Sequence, residues 1–384
     1  MIELDDRLLA LRAHAHGWSA DLRDMAMDVD RDPDAVQRFA DRDVLRFLAT
    51  FRRSGDPVGQ PLIVDGRRCL ARTVLEQVVL MEELAYGDLG ALLAAPGAPM
   101  AGPLVELLGD AAQQEWFFGR MNGPARWAFF ALTEPDRGSD AVHLGTTLTP
   151  DGDGFVLTGA KRYVGNAARS QLGVVFARLG SGPLGVRAVL VEASDPGLTM
   201  TTLPTVGLRG AALSAITMDS VPLAPQRILG RHLPTARRGA WGWLRVFNLL
   251  RPGLAAMAVG VARAASEYVR ANRRALTPAE HSRLDAIDRH IDSVRQLTYH
   301  AAATVDADPA DGSLASAAKA RAARLAEDVT LAAPGFFGAG ARFEHPLLDK
   351  LARDARGLEF MEGTGHVHRL LMSQHVIRGR TDHG

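Results

Sequence analysis

The hydrophobic pattern of this chain changes period twice, and any fold must answer that change. Near the start, TVLEQVVLMEELAYGDLGALLAAPG at 73–97 places apolar residues three and four apart, with acids between them, which is helical spacing. A further helix is expected over 103–122, broken at Gly109-Asp110. From about 127 to 230 the period falls to two. WAFFALTE, GFVLTGAKRYV, LGVVFARL, VRAVLVEA, LTMTTL and SAITMDSV are short β-branched and aromatic runs. Turn residues separate them, most plainly Pro150-Asp151-Gly152-Asp153-Gly154, a hairpin signal. After Pro234 the spacing is helical again, through runs beginning at Gly253, Pro278 and Ser313 and a last helix from about Gly365 to His375. The reading is therefore α+β: an N-terminal helical domain over 1–126, a middle antiparallel β-sandwich or barrel over 127–232, and a C-terminal helical bundle over 233–384.

Composition narrows the partners. Formal net charge is zero, so no electrostatic case exists for nucleic acid or an anionic membrane. Lys161, Lys319 and Lys350 are the only lysines, and the arginine excess reads as coding bias. Cys69 is the single cysteine, which excludes an intramolecular disulfide and any multi-cysteine metal site. The charged opening MIELDDRLLALRAHAHGW lacks the apolar core of a secretory signal, and no apolar run approaches the ~18 residues of a membrane span. A cytoplasmic location is expected.

Two motifs carry chemistry. ALTEPDRGSD at 131–140 brings hydroxyls, acids and exposed backbone N–H groups to a strand end, a place suited to a polar ligand. MEGTGHVHR at 361–369 sets Glu362 between apolar residues and a glycine, which lets backbone approach a ligand closely. Read alone, the first is an ordinary strand exit and the second an acid beside a helix N-terminus. Glu362 and His366 stand four apart, and His368, His14 and His16 add nitrogens, but none completes a ligand set, so no metal is expected.

Taken together, about 230 residues apart and framing a β zone and a helical zone, the two motifs resemble those of the acyl-CoA dehydrogenase family of flavoproteins. MEEL at 81–84, GAKRYVGNA at 159–167, VGLRG at 206–210, LRPGLAAMAVGVARAA at 250–265 and RDAR at 353–356 extend the resemblance in order. It implies a C-terminal four-helix bundle, FAD between that bundle and the β domain, and a homotetramer or homodimer. It assigns Phe130, Leu132, Thr133, Ser139, Tyr163, Val164, Gly165, Arg273, Thr364, Gly365 and His366 to the cofactor. Ser139, Asn248, Arg251 and Gly363 fall to the substrate, an acyl thioester on CoA or on an acyl carrier protein. Glu362 becomes the base for the α proton, aided by a dry pocket that improves its match to that task. An electron-transferring flavoprotein or similar acceptor is the implied electron partner.

The chain also departs from the family pattern. Gly165 stands where a threonine or serine usually follows the flavin strand, so no side-chain hydroxyl reaches the flavin from there. Asn248 replaces a frequent aspartate, Arg273 sits in a degraded Arg-x-x-Phe-Gly, and Pro334-Gly335-Phe336-Phe337-Gly338 replaces Gln-x-x-Gly-Gly. The Pro-x-x-x-Gly-Gly pattern is missing between 50 and 75. These departures favour an atypical substrate and a specialised biosynthetic role. The competing readings are a monooxygenase or oxidase of the same fold, against which Glu362 argues, and a catalytically silent binding protein, against which both retained motifs argue.

Overall fold

The structure, a computed structural model, describes residues 1–50, 62–64, 66–69, 72–123, 125–138, 140 and 143–381. Most of the 50–75 stretch therefore lies outside the described residues.

The N-terminal part is helical: α1 (Asp6–Arg31), α2 (Asp43–Thr50), α3 (Val74–Gly87), α4 (Leu89–Ala94), α5 (Ala101–Leu108) and α6 (Ala111–Arg120). Several of these helix starts carry side-chain caps. Thr73 and Glu76 form a reciprocal capping box on α3, Asp110 and Gln113 do so on α6, and Asp88 caps α4. Gly109-Asp110 is the break between α5 and α6. A short hairpin, β1 (Leu62–Val64) with β2 (Arg67–Cys69), interrupts this helical zone. Three residues per strand are too few to announce a period of two.

The β zone holds β3 (Ala128–Ala131), β4 (Thr147–Asp151), β5 (Gly154–Val164), β6 (Leu172–Arg178), β7 (Val186–Glu192), β8 (Leu198–Thr202) and β9 (Ser214–Leu223). The predicted turn joins β4 to β5, with Asp151 opposite Gly154. The helical–β–helical reading holds, and the sheet adds parallel pairs to the antiparallel pairing expected. The strands form one seven-stranded sheet in the order β3-β6-β4-β5-β9-β8, with β7 on β6, and β6 runs parallel to both β3 and β4. A parallel pair requires a crossover, and residues 132–171, which contain the β4–β5 hairpin, supply it between β3 and β6.

Helices return with α7 (Gly239–Asn272), α8 (Pro278–Ala307), α9 (Ser313–Ala332), α10 (Ala341–Glu344), α11 (Pro346–Gly357) and α12 (Gly365–Thr381). α7 begins earlier than its period suggests and runs through Pro252, which leaves the Asn248 carbonyl without an intrahelical donor. α7 is long and apolar enough to cross a bilayer by composition, but 67% of its apolar window is buried within the protein. It is the central core helix, packed on α3, α8 and α9. Small residues let the helices close: a Cβ on Gly260 would stand 2.2 Å from the Glu82 carbonyl of α3.

One hydrophobic core joins the N-terminal helices to the bundle. A second packs α5, α6 and the first turns of α7 on one sheet face, and a third fills the other face. Sheet and bundle thus meet along the N-terminal half of α7.

Candidate functional site

The end of β3 is held by a buried ion pair. Glu134 and Lys161 are 6% and 1% exposed, and Lys161 Nζ donates to Glu134 Oε1 at 2.9 Å and to the Leu132 carbonyl at 3.0 Å. Glu134 also accepts the N–H groups of Gly145 and Thr146. Burial alone would push its carboxyl up. The Thr146 hydrogen bond, the Lys161 charge and the N–H donors of Gly145 and Thr146 outweigh burial and hold it at about 2. This pair fixes Thr133, whose carbonyl accepts the Arg162 N–H at 2.9 Å. β5 bulges between Lys161 and Val164, and Tyr163 sits there at φ 61°, 56% exposed as a residue. Around Gly165 there is room: a Cβ would meet only the Ala211 carbonyl, at 3.9 Å. Thr133, Tyr163, Val164 and Gly165 therefore share one corner of the sheet. Leu132 is buried beside them, and Phe130 packs on Phe176. Ser139 lies outside the described residues.

The second half of the site is the turn from α11 to α12. Glu362 and Gly363 are consecutive left-handed residues, at φ 52° and 106°. For a glutamate that conformation costs roughly 1–3 kcal/mol, so the surroundings must hold it. Glu362 is half-buried, with Oε2 sealed from solvent. Arg251, 4% exposed on α7, points Nε at the Glu362 carbonyl from 3.4 Å. Lys319, 1% exposed on α9, donates to the carbonyls of Glu359 at 2.8 Å and Gly363 at 2.5 Å. His368 is fully buried, and a Cβ on Gly363 would stand 3.4 Å from its Nε2. Burial, then the charges of Arg251 and Lys319, push His368 down to about 3, so it is neutral. Gly365 gives its N–H to Glu359 Oε1 at 2.7 Å, Thr364 is half-buried and His366 is exposed.

α7 joins the halves. Phe247 meets Phe130 of β3 with ring centroids 5.9 Å apart, and the Arg251 guanidinium lies 5.6 Å from the Phe247 centroid. One turn of helix thus spans from the strand end to the Glu362 turn. Two of the assigned residues have other partners within this chain. Asn248 accepts from Arg251 and donates to the Ala310 carbonyl in the α8–α9 connection. The lost helical hydrogen bond at Pro252 leaves that region to be tied by side chains. Arg273, which caps the far end of α7 and pairs with Glu280, is 22 residues from Arg251, about 33 Å along the helix. Within one chain it does not join the site.

The lysines are what the sequence reading missed. All three are buried, each about 1% exposed, and each ties separate elements. Lys350 pairs with Asp88 and Asp354. Their scarcity was the signal: in an arginine-rich chain, a retained lysine marks a place where a compact ammonium is required.

Residues 129–221 match the model of the acyl-CoA dehydrogenase middle domain and 238–377 that of the acyl-CoA dehydrogenase C-terminal domain. The chain belongs to the acyl-CoA dehydrogenase family. It is 27% identical over 315 residues to a 3-(aryl)acrylate reductase of Clostridium sporogenes, covering 78% of this chain and 82% of that protein. It is 28% identical over 314 residues to the mitochondrial short-chain specific acyl-CoA dehydrogenase of Bos taurus, covering 78% and 75%. Among solved structures, a glutaryl-CoA dehydrogenase from Mycobacterium smegmatis in complex with FADH2 superposes with a TM-score of 0.82 at 20% identity, covering 97% of this chain and 95% of that one. A prolyl acyl carrier protein oxidase superposes with a TM-score of 0.81 at 19% identity, covering 97% and 100%. These two show the fold.

The chain is an oxidoreductase of the CH–CH class whose cofactor is FAD. Its residues fit that group. An aromatic face open to solvent, a threonine at a strand end and an unfilled glycine share one sheet corner, which suits a flat ring with a polar edge.

Proposed function

We propose that this protein removes hydrogen across Cα–Cβ of an acyl thioester, with Glu362 as the base for the α proton. Bound FAD supplies the acceptor for the β hydride at N5. The chain's own residues do the rest. Thr133, Tyr163, Val164, Gly165, Thr364 and His366 hold the cofactor, and Arg251 orients the base through its main chain. Glu362 abstracts the proton from a partly desolvated position, and its own N–H serves the thioester oxygen as charge develops there.

The observation that carries this reading is the left-handed Glu362–Gly363 turn. It presents a carboxylate with one sealed oxygen while buried donors grip the backbone behind it. Strain held in place by such a shell belongs to a working group more than to a surface acid. In Glu362→Gln, FAD should remain bound, seen as unchanged yellow absorbance after gel filtration. Anaerobic bleaching of the flavin by an acyl thioester should fall by at least about 10³-fold. Unchanged bleaching removes Glu362 as the base.

Two finer points belong to the same reading. The substrate is carried on CoA or on an acyl carrier protein in a specialised biosynthesis, a reading supported by the fold shared with a prolyl acyl carrier protein oxidase and by the departures at Gly165 and Asn248. Electrons leave to an electron-transferring flavoprotein or similar acceptor. Arg273 contacts FAD only across a subunit interface, which makes the working unit a homodimer or homotetramer.

A further inference from the structure

Lys319 is the most buried charge near the base that the proposed chemistry leaves without a task. It rises from α9, an element with no residue at the cofactor corner, and ends among main-chain oxygens. The Glu359 carbonyl lies just past the end of α11, where helical carbonyls have no intrahelical donors. The Gly363 carbonyl lies on the other side of Glu362. A single ammonium therefore staples together the two ends of the five-residue segment that carries the base. An ammonium offers three donors on a narrow stem, and arginine's planar fork does not match two converging carbonyls.

We infer that Lys319 is a positioning residue: by bridging the carbonyls of Glu359 and Gly363 it holds the left-handed Glu362 turn in the conformation from which the carboxylate acts. This rests on the reading of Glu362 as base. Arg251 grips the middle of the same turn, so the two cations act on different carbonyls of one segment.

The staple titrates near the working range. Burial lowers Lys319 to about 8; the carboxylates of Glu359 and Glu362 oppose that, and Arg251 adds to it. The charged groups facing it are therefore Glu359, Glu362 and Arg251, with neutral His368 beside them. Below about pH 8 the ammonium is charged and its hydrogen bonds are charge-assisted. Above it, the amine donates weakly and the turn loosens.

The test uses the FAD-loaded enzyme. Hydrogen–deuterium exchange of amides 359–368 is compared at one pH in wild type, Lys319→Met and Lys319→Arg. Anaerobic flavin bleaching by butyryl-CoA is followed from pH 6 to 10. In Lys319→Met, exchange of that segment should rise about tenfold or more with the rest of the protein unchanged. Its kcat should fall about 10- to 100-fold while KM moves less than about threefold. Wild type should show an alkaline limb near pH 8, and Lys319→Arg should restore part of the rate without that limb. Wild-type exchange and rate in Lys319→Met, or a flat wild-type profile through pH 9.5, overturns the assignment. If Lys319→Met does not fold, the wild-type limb and its absence in Lys319→Arg decide. Glu362→Gln separates the two readings: if it still bleaches, the base assignment fails, while the exchange result still judges the staple.

Discussion

Arg251 Nε lies 3.4 Å from the main-chain oxygen of Glu362, 111 residues later in the chain. The guanidinium is 4% exposed and is shared with Asn248 and Ser316 at 3.2 and 3.5 Å. Burial pulls its value down and the Glu362 carboxylate opposes that. Arg251→Lys keeps the charge and loses the fork that reaches several acceptors at once. Anaerobic flavin reduction should slow by about 10- to 100-fold, with FAD content unchanged. A rate within twofold of wild type would show that the turn does not need this donor.

Lys350 joins three parts of the chain. Its ammonium meets Asp88 of the N-terminal helices and Asp354 of α11, and Asp354 accepts the Leu208 N–H from the β zone at 2.6 Å. All three side chains are essentially sealed. Lys350→Met leaves two buried carboxylates facing each other without a cation. It should cost about 3–5 kcal/mol at pH 7.5. The cost should shrink at pH 5, because the variant's crowded carboxylates hold protons in the folded state, so its stability falls as pH rises. Thermal unfolding at the two pH values checks this, and a pH-independent loss would sink it.

The architecture was legible because hydrophobic period reports burial directly, and the period changed where the elements change, near 127 and after 234. The Glu362 turn was legible because that residue stands inside a local motif. The crossover that makes β6 parallel to β3 was hidden, since strand order depends on partners some 40 residues apart and leaves no local mark. The partners of Asn248 were hidden for a related reason. Its spacing from Arg251 is visible, but the α8–α9 connection that absorbs its amide comes 62 residues later. Lys161, Lys319 and Lys350 were visible only as a composition, and burial gave each a task.

Acid should weaken the protein in two steps. His368 holds no proton in the folded state until about pH 3, whereas an unfolded histidine takes one near 6.5. Its contribution is therefore complete above about 6.5 and is lost as pH falls toward 3, at up to about 1.4 kcal/mol per unit. Glu134, held at about 2 against 4.5 when unfolded, adds a second loss below about 4.5. Urea midpoints from pH 8 to 4 should thus decline from about 6.5 downward. His368→Gln, which does not titrate, should flatten that upper segment and leave the steeper fall below 4.5. A wild-type midpoint constant from pH 7 to 5 would contradict the neutral, buried histidine.

Gly165 invites a gain of function at the sheet corner proposed to hold the cofactor. It stands at the end of β5, after the Tyr163 bulge, and a Cβ there meets only the Ala211 carbonyl, at 3.9 Å. No positive φ at this position favours glycine, so a serine should be accommodated with stability changed by no more than about 0.5 kcal/mol. A serine hydroxyl would offer the flavin edge a donor that position 165 lacks. One added hydrogen bond contributes about 0.5–1.5 kcal/mol, which is roughly two- to tenfold in affinity. Gly165→Ser should therefore retain FAD at lower free cofactor concentration, measured by fluorescence quenching on titration of the apoprotein. The flavin potential should shift with it, because a hydroxyl at the ring edge weighs differently on the oxidised and reduced forms. Equal FAD affinity in Gly165→Ser and wild type would mean that the flavin edge does not reach this corner, and would move the cofactor away from Tyr163 as well.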